Sequence, residues 1–301
     1  MKKQIGIVGL GKMGQGIALS LAEKCWDVHG FDPSPGTRDE ISAQGIKAYT
    51  SAQALVSTLQ APRTVWLMVP HAVVDDVLFG AEGIQGSLAT GDVVVDGGNS
   101  FYKESIERAE KLNAVGIKYI DVGFSGGPHG ARHGGCLMIG GDEASFKENE
   151  TLFRNLALEN GYQFFAGSGA GHFVKMVHNG IEYGMMQALG EGFAILKASP
   201  YKLDLTRVAD IYNHGSVIES RLVGWLKSAF ETYGEDLKEV SSSIAHTGEG
   251  EWTAKTAHEM GVESPIIEGS YTFRVESKDK PSFVGKVVSA LRNQFGGHSI
   301  K

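Results

Sequence analysis

Gln4-Ile5-Gly6-Ile7-Val8-Gly9-Leu10-Gly11-Lys12-Met13-Gly14 is the stretch whose reading decides the fold. A short apolar run meets three glycines spaced as GxGxxG, and residues 15–24 continue with helical periodicity. Strand, tight turn and helix N-terminus in that order make an anion cradle. Bare backbone lets a pyrophosphate approach, and free N–H groups with the helix dipole favour its charge. The pattern gains weight from the next apolar run, 27–31, which leads into Asp32, 18 residues beyond Gly14 and placed to accept hydrogen bonds from an adenosine ribose. Gly9, Leu10, Gly11, Met13, Gly14 and Asp32 are therefore candidate dinucleotide contacts. A carboxylate at position 32 repels a 2′-phosphate and residues 33–36, Pro-Ser-Pro-Gly, bring no cation, so NAD is preferred over NADP. Arg38 is the one nearby cation able to swing toward such a phosphate. The competing structural reading is a set of turn glycines and a loop-capping aspartate.

Outward from that turn, short apolar runs alternate with longer segments at the period of successive βα units. Strands are predicted over 4–8, 27–31, 47–50, 64–69, 92–96, 118–122, 136–139 and 162–165. The pattern predicts an α/β, Rossmann-type, doubly wound and mainly parallel sheet. After residues 167–171, Gly-Ser-Gly-Ala-Gly, the strand pattern stops, and helices are predicted over 170–197, 203–213, 216–231, 251–260, 265–276 and 281–294. The expected division is a dinucleotide domain over 1–166 and an all-α substrate-binding and dimerisation domain over 167–301.

Composition excludes several classes. With 301 residues and 42% hydrophobic side chains, two domains of ordinary size can each bury a core. A formal charge of −7 disfavours nucleic acid and anionic membranes as partners, so an acidic small ligand must be held by a few specific cations. Cys25 and Cys136, the only cysteines, form no CxxC pattern, and no histidine has a ligand-like partner at metal-binding spacing. The expectation is a cytoplasmic protein without metal, signal segment or membrane span.

The chemistry concentrates near the middle of the chain, in Gly171-His172-Phe173-Val174-Lys175-Met176-Val177-His178-Asn179-Gly180-Ile181-Glu182-Tyr183. At about 3.6 residues per turn, Lys175, His178, Asn179, Glu182 and Tyr183 share one helix face, opposite Val174, Val177, Ile181, Met185 and Leu189. An amine, an imidazole, an amide, a carboxylate and a phenol in one stripe suit proton transfer. The plainer alternative is a solvated helix face.

Together with Asp96-Gly97-Gly98-Asn99-Ser100 and Gly123-Phe124-Ser125-Gly126-Gly127, these segments resemble the β-hydroxyacid dehydrogenase superfamily and, within it, the 6-phosphogluconate dehydrogenase family. The likeness runs nearly the whole chain, and its length is similar to the short, often NAD-using form. It implies oxidative decarboxylation of 6-phosphogluconate to ribulose 5-phosphate, with hydride passing to NAD. It makes Lys175 the base at the C3 hydroxyl and Glu182 the acid at the enediol carbon, with Asn179 orienting that hydroxyl. Ser125, Gly126, Gly127, His178 and Tyr183 are implied substrate contacts, and Asn99 and Val69 are implied cofactor contacts. Ser125-Gly126-Gly127 by itself is equally a glycine turn, and Asn99 equally a loop cap.

The resemblance further implies Arg274, 22 residues beyond Trp252, and the Arg-x5-His pair Arg292 and His298 as the phosphate cage. In the family the last two come from a neighbouring subunit, which implies a homodimer or higher homo-oligomer. One departure stands out. Thr247 occupies the position of a family lysine in His246-Thr247-Gly248-Glu249-Gly250-Glu251-Trp252-Thr253, so a phosphate contact is lost or replaced. A 3-hydroxyisobutyrate dehydrogenase would share the nucleotide turn and Lys175 without needing Glu182 or the arginines. A non-catalytic NAD-sensing protein would need only the first domain.

Overall fold

The computed structural model describes residues 3–245 and 248–300. His246 and Thr247 lie outside the described residues. Contacts divide the chain into two compact units, Met1–Met176 and Val177–Lys301. The composition shift in the sequence places this boundary at the end of the last strand, at residue 166.

The first unit alternates β1 (Gln4–Val8), α1 (Lys12–Glu23), β2 (Asp27–Phe31), α2 (Pro35–Ala43), β3 (Lys47–Tyr49), α3 (Ala52–Thr58), β4 (Thr64–Leu67) and α4 (Val74–Phe79). It continues through β5 (Val93–Asp96), α5 (Tyr102–Asn113), β6 (Lys118–Ser125), α6 (Gly127–His133), β7 (Gly135–Gly141), α7 (Glu143–Leu156) and β8 (Ala157–Ala166) into α8 (Ala170–Ala198). The eight strands form one sheet in the order β3-β2-β1-β4-β5-β6-β7-β8. Among the described strands only the β6–β7 pair is antiparallel.

Alternation along the strands buries both sheet faces, as a doubly wound sheet requires. Trp66, Val93 and Val95 enter one core with Ile5, Ile7, Ile17 and Leu21. Val65, Leu67 and Val94 enter the other with Val8, Leu55 and Leu112. Full burial of one such aliphatic side chain contributes about 1.5–3 kcal/mol. Strand order reverses between β1 and β4, so the crevice at their carboxyl ends is where this architecture receives ligands. The GxGxxG turn follows β1 there, and Val69 lies just beyond β4.

Two features depart from the periodicity reading. β6 extends to Ser125, so that hydroxyl ends a strand rather than following one. A short helix, α6, occupies Gly127–His133, where two glycines and a proline hide any helical signal. Its Ala131 packs against Gly16 of α1.

The second unit holds the rest of α8 with α9 (Leu205–Tyr212), α10 (Arg221–Tyr233), α11 (Glu249–Glu259), α12 (Pro265–Glu276) and α13 (Phe283–Gly296). Met186, Phe193, Leu226, Phe230, Val287 and Leu291 belong to its core. α10 starts at Arg221 instead of 216 because the Ser220 hydroxyl accepts from the Val223 N–H and fixes the first turn. Ser282 and Asp204 cap α13 and α9 in the same way. Among the described residues no helix is long and apolar enough to cross a membrane.

Candidate active site

The nucleotide turn is built before any ligand arrives. Gly11 precedes the first turn of α1 with no side-chain cap, leaving the leading N–H groups for an anion. At Gly14 a methyl group would overlap the Gly9 carbonyl, whereas Gly11 faces open space. The Asp32 carboxylate accepts from the Leu10 N–H and the Ser34 N–H, each at 2.9 Å, which ties the loop after β2 to the glycine turn. Arg38 donates to the carbonyls of Asp32 at 2.7 Å and Pro33 at 3.0 Å. It is thereby engaged with the loop's own backbone. A carboxylate retains further lone pairs for ribose hydroxyls, so turn, open glycine and acid together fit a dinucleotide. Met13 is half-buried against the sheet core, and Val69 packs beside Gly9.

A second turn follows β5. Asp96, fully buried, accepts from the Gly98 N–H at 3.1 Å, the Ser100 hydroxyl at 2.8 Å and the Tyr119 hydroxyl at 2.9 Å. This pins the loop so that Asn99 at its tip is exposed. Ser125, Gly126 and Gly127 form the third turn, where φ of 134° at Gly126 and 59° at Gly127 places both in the region that glycine tolerates.

The helix carrying Lys175 is oriented opposite to the plain expectation of a solvated polar face. Lys175, Asn179 and Tyr183 are 7%, 9% and 6% exposed, while Ile181 and Met185 on the apolar flank are 53% and 43% exposed. Within the second unit, His178 Nδ1 lies 3.0 Å from Asn179 Oδ1 and 3.8 Å from Glu182 Oε2. Both His178 and Glu182 are half-buried.

Arg274 and Arg292 are also enclosed, at 3% and 7% exposure. The Arg274 guanidinium carbon stands 3.2 Å from the centre of the Tyr183 ring, and its Nη2 lies 3.9 Å from Met186 Sδ. Burial pushes Arg274 down to about 10, against the favourable field of Tyr183 and helped by repulsion from Arg292. Arg292 is lowered as well, again chiefly by burial, while Tyr183, Glu249 and Glu182 pull the other way. Burial raises the Tyr183 phenol. Among the described residues neither guanidinium forms an ion pair with a carboxylate.

Arg292 lies in α13 of the same chain and shares its surroundings with that chain's own Tyr183. His298 is half-buried and turned back on α13: its carbonyl accepts from Asn293 Nδ2 at 2.7 Å, and its ring meets Phe295 edge-on.

The sequence reading did not single out Asp121 and His172. Asp121 is fully buried in β6 and accepts from the Gly169 N–H at 2.7 Å and the His172 N–H at 2.8 Å. Its available signal was one acid inside the apolar run Tyr119-Ile120-Asp121-Val122.

A dinucleotide-fitting first unit followed by a helix that buries a lysine defines a nicotinamide-dependent oxidoreductase. Family comparison narrows the class. Residues 4–166 match the NAD-binding domain of 6-phosphogluconate dehydrogenase, and residues 171–294 match the C-terminal domain of 6-phosphogluconate dehydrogenase. The chain belongs to the 6-phosphogluconate dehydrogenase family. It is 44% identical over 298 residues to YqeC of Bacillus subtilis, a candidate 6-phosphogluconate dehydrogenase, covering 99% of each chain. It is 38% identical over 298 residues to the NAD(+)-dependent, decarboxylating 6-phosphogluconate dehydrogenase of Haloferax volcanii, covering 99% of this chain and 98% of that one. The solved Plasmodium falciparum 6-phosphogluconate dehydrogenase, described with NADP+ and with 6-phosphogluconate, superposes at a TM-score of 0.83 and 27% identity. That match covers 92% of this chain and 62% of the longer protein. A 3-hydroxyisobutyrate dehydrogenase from Salmonella typhimurium shares the fold at a TM-score of 0.78 and 22% identity, covering 95% of this chain and 99% of that one.

Proposed function

We propose that this chain oxidises and decarboxylates 6-phosphogluconate, with NAD as the hydride acceptor. The observation that carries the reading is the enclosed pair Arg274 and Arg292, which lack a carboxylate ion pair among the described residues. Burying cations without a counter-charge is destabilising by several kcal/mol, and a phosphate dianion is the ligand that relieves it, because guanidinium binds phosphate in a bidentate fashion. The Haloferax relative's name and the Plasmodium complex support the same substrate.

The assigned roles follow from the chemistry. Gly9, Gly11 and Gly14 cradle the dinucleotide's pyrophosphate, and Asp32 receives its ribose hydroxyls. Asp32 repels a 2′-phosphate, and Arg38 is already occupied by two carbonyls, which favours NAD. Bound nicotinamide supplies a hydride acceptor for C3. Lys175, neutral at the start, takes the C3 hydroxyl proton as the hydride leaves, giving a 3-keto acid. The C1–C2 bond then releases carbon dioxide, its electrons move toward the C3 oxygen, and Lys175 returns the proton to that oxygen. Glu182 protonates the former C2 while Lys175 removes the enediol hydroxyl proton to form the ketone. A proton passed from Lys175 to Glu182 through solvent restores both groups. Asn179 and His178 orient the reacting hydroxyls, and Ser125, Gly126 and Gly127 hold the C1 carboxylate.

The proposal includes a homodimer in a cytoplasmic setting. The exposed apolar residues Ile181, Met185 and Ile195 of α8 favour assembly, and Cys25 and Cys136 are both free thiols. The test measures NADH and carbon dioxide from 6-phosphogluconate, with 3-hydroxyisobutyrate alongside. Equal yields of the two products from the phosphosugar acid are expected. NADH without carbon dioxide, or turnover of 3-hydroxyisobutyrate alone, would overturn the assignment.

A further inference from the structure

The first two turns of α8 rest directly on sheet backbone. At Gly123 of β6 an added methyl would overlap the Lys175 Cβ, at Gly140 of β7 it would overlap the Gly171 N–H, and at Gly171 it would overlap the carbonyls of Met138 and Asp121. Three glycines thus remove the side chains that would otherwise hold the helix away from the strands. Asp121 bridges the contact: its two carboxylate oxygens take the N–H groups of Gly169 and His172 at 2.7 and 2.8 Å. Asp121 and Gly123 are two positions apart in β6 and project to the same side of the sheet. Lys175 follows Gly171 by one helical turn. A second tie, 2.7 Å between the His172 ring and the Ser105 hydroxyl of α5, holds the same turn from the side.

We propose that Asp121 is a positioning residue for Lys175: its carboxylate clamps the start of α8 onto the glycine seat and so fixes where the amine stands over the nicotinamide side of the sheet. This rests on the reading of Lys175 as the base. Asn at position 121 keeps the shape and one acceptor oxygen, but turns an NH2 toward a backbone N–H, so the clamp loses one of its two bonds. Proton removal from the C3 hydroxyl then becomes harder while the phosphate arginines are untouched.

The test compares Asp121→Asn, Gly123→Ala and Lys175→Met as full-length proteins, using 6-phosphogluconate with hydrogen or deuterium at C3. Asp121→Asn is expected to lower kcat roughly 10- to 50-fold, to change KM for the sugar acid less than twofold, and to raise the deuterium isotope effect on kcat. Gly123→Ala, which retains the clamp but pushes on the Lys175 Cβ and Cγ, should give the same pattern. A merely structural role would reduce the amount of active enzyme and leave the isotope effect at the wild-type value. That outcome in folded Asp121→Asn, or wild-type kcat in it, overturns the proposal. Should Lys175→Met itself keep near-normal turnover, the reading of the base fails instead, and the two failures are told apart.

Discussion

In the nucleotide-binding unit the buried charges of Arg108 and Asp96 meet opposite charges or donors among their neighbours. Arg108, 2% exposed, meets Asp75 at 2.9 Å and Glu104 at 3.0 Å, and Asp96 has three donors. In Arg108 burial works to lower the guanidinium pKa, yet the carboxylates, with Asp75 foremost, raise it overall. In the helical unit Arg274 meets a phenol ring and a thioether, and Arg274 and Arg292 are both lowered. Identical side chains are thus shifted in opposite directions by what surrounds them. The second unit thus encloses two cations that have no ion-paired carboxylate among the described residues.

The largest effect should come where chemistry, rather than charge balance, is at stake. Lys175→Met is expected to reduce hydride transfer and carbon dioxide release together by 10³-fold or more, on the order of general-base contributions, with NADH binding by fluorescence unchanged. Loss of one activity without the other would separate steps that a single amine is meant to serve.

Arg274→Ala sharpens the comparison most directly. Removing a guanidinium from a charged hydrogen-bonded site should cost about 100-fold in kcat/KM for the phosphorylated acid, nearly all in KM. Because the free protein no longer encloses that cation, its thermal midpoint should hold or rise. A fall of several degrees would mean that the arginine is already neutralised without substrate.

Asp32→Ala tests the nucleotide-binding unit at its ligand edge. The NAD over NADP ratio of kcat/KM should fall roughly tenfold, as expected for lost hydrogen bonds to a charged acceptor. No change would show that Arg38 or the loop backbone sets the preference.

Asp27→Asn should do least. The Asp27 carboxyl is held well below the usual range, first by the Lys47 ammonium at 2.9 Å, then by Gln4 and His29. Its folded pKa is depressed, so its contribution is present above the ordinary carboxylate range near pH 4 and is lost as pH falls further. Lys47 is half exposed, and solvent screening keeps the loss at neutral pH below about 1 kcal/mol by urea denaturation, shrinking toward zero in acid.

What could be read from the sequence follows the same division. The sheet and the glycine turn were legible because period-two alternation and GxGxxG spacing are local signals, and all eight strands lie where apolar runs placed them, with edges moved. Helix α6 was not legible, since Gly-Pro-His-Gly carries no propensity and the helix is set against α1 by tertiary contact. The stripe on α8 was visible as a period, but which flank turns inward was not. Periodicity gives two faces, and only packing buries Lys175 and Asn179 while exposing Ile181. Arg292 followed the same pattern: spacing marked the residue, and packing of α13 buried it.

The boundary between the two compact units falls inside α8, at Met176, rather than at the loop after β8. A protease seeking an exposed linker finds continuous helix there. A chimaera spliced at residue 166 would detach Lys175 from the strands that seat it and leave bare glycine facing water. Recombination that swaps nucleotide modules between relatives must therefore carry the first two turns of the helix along.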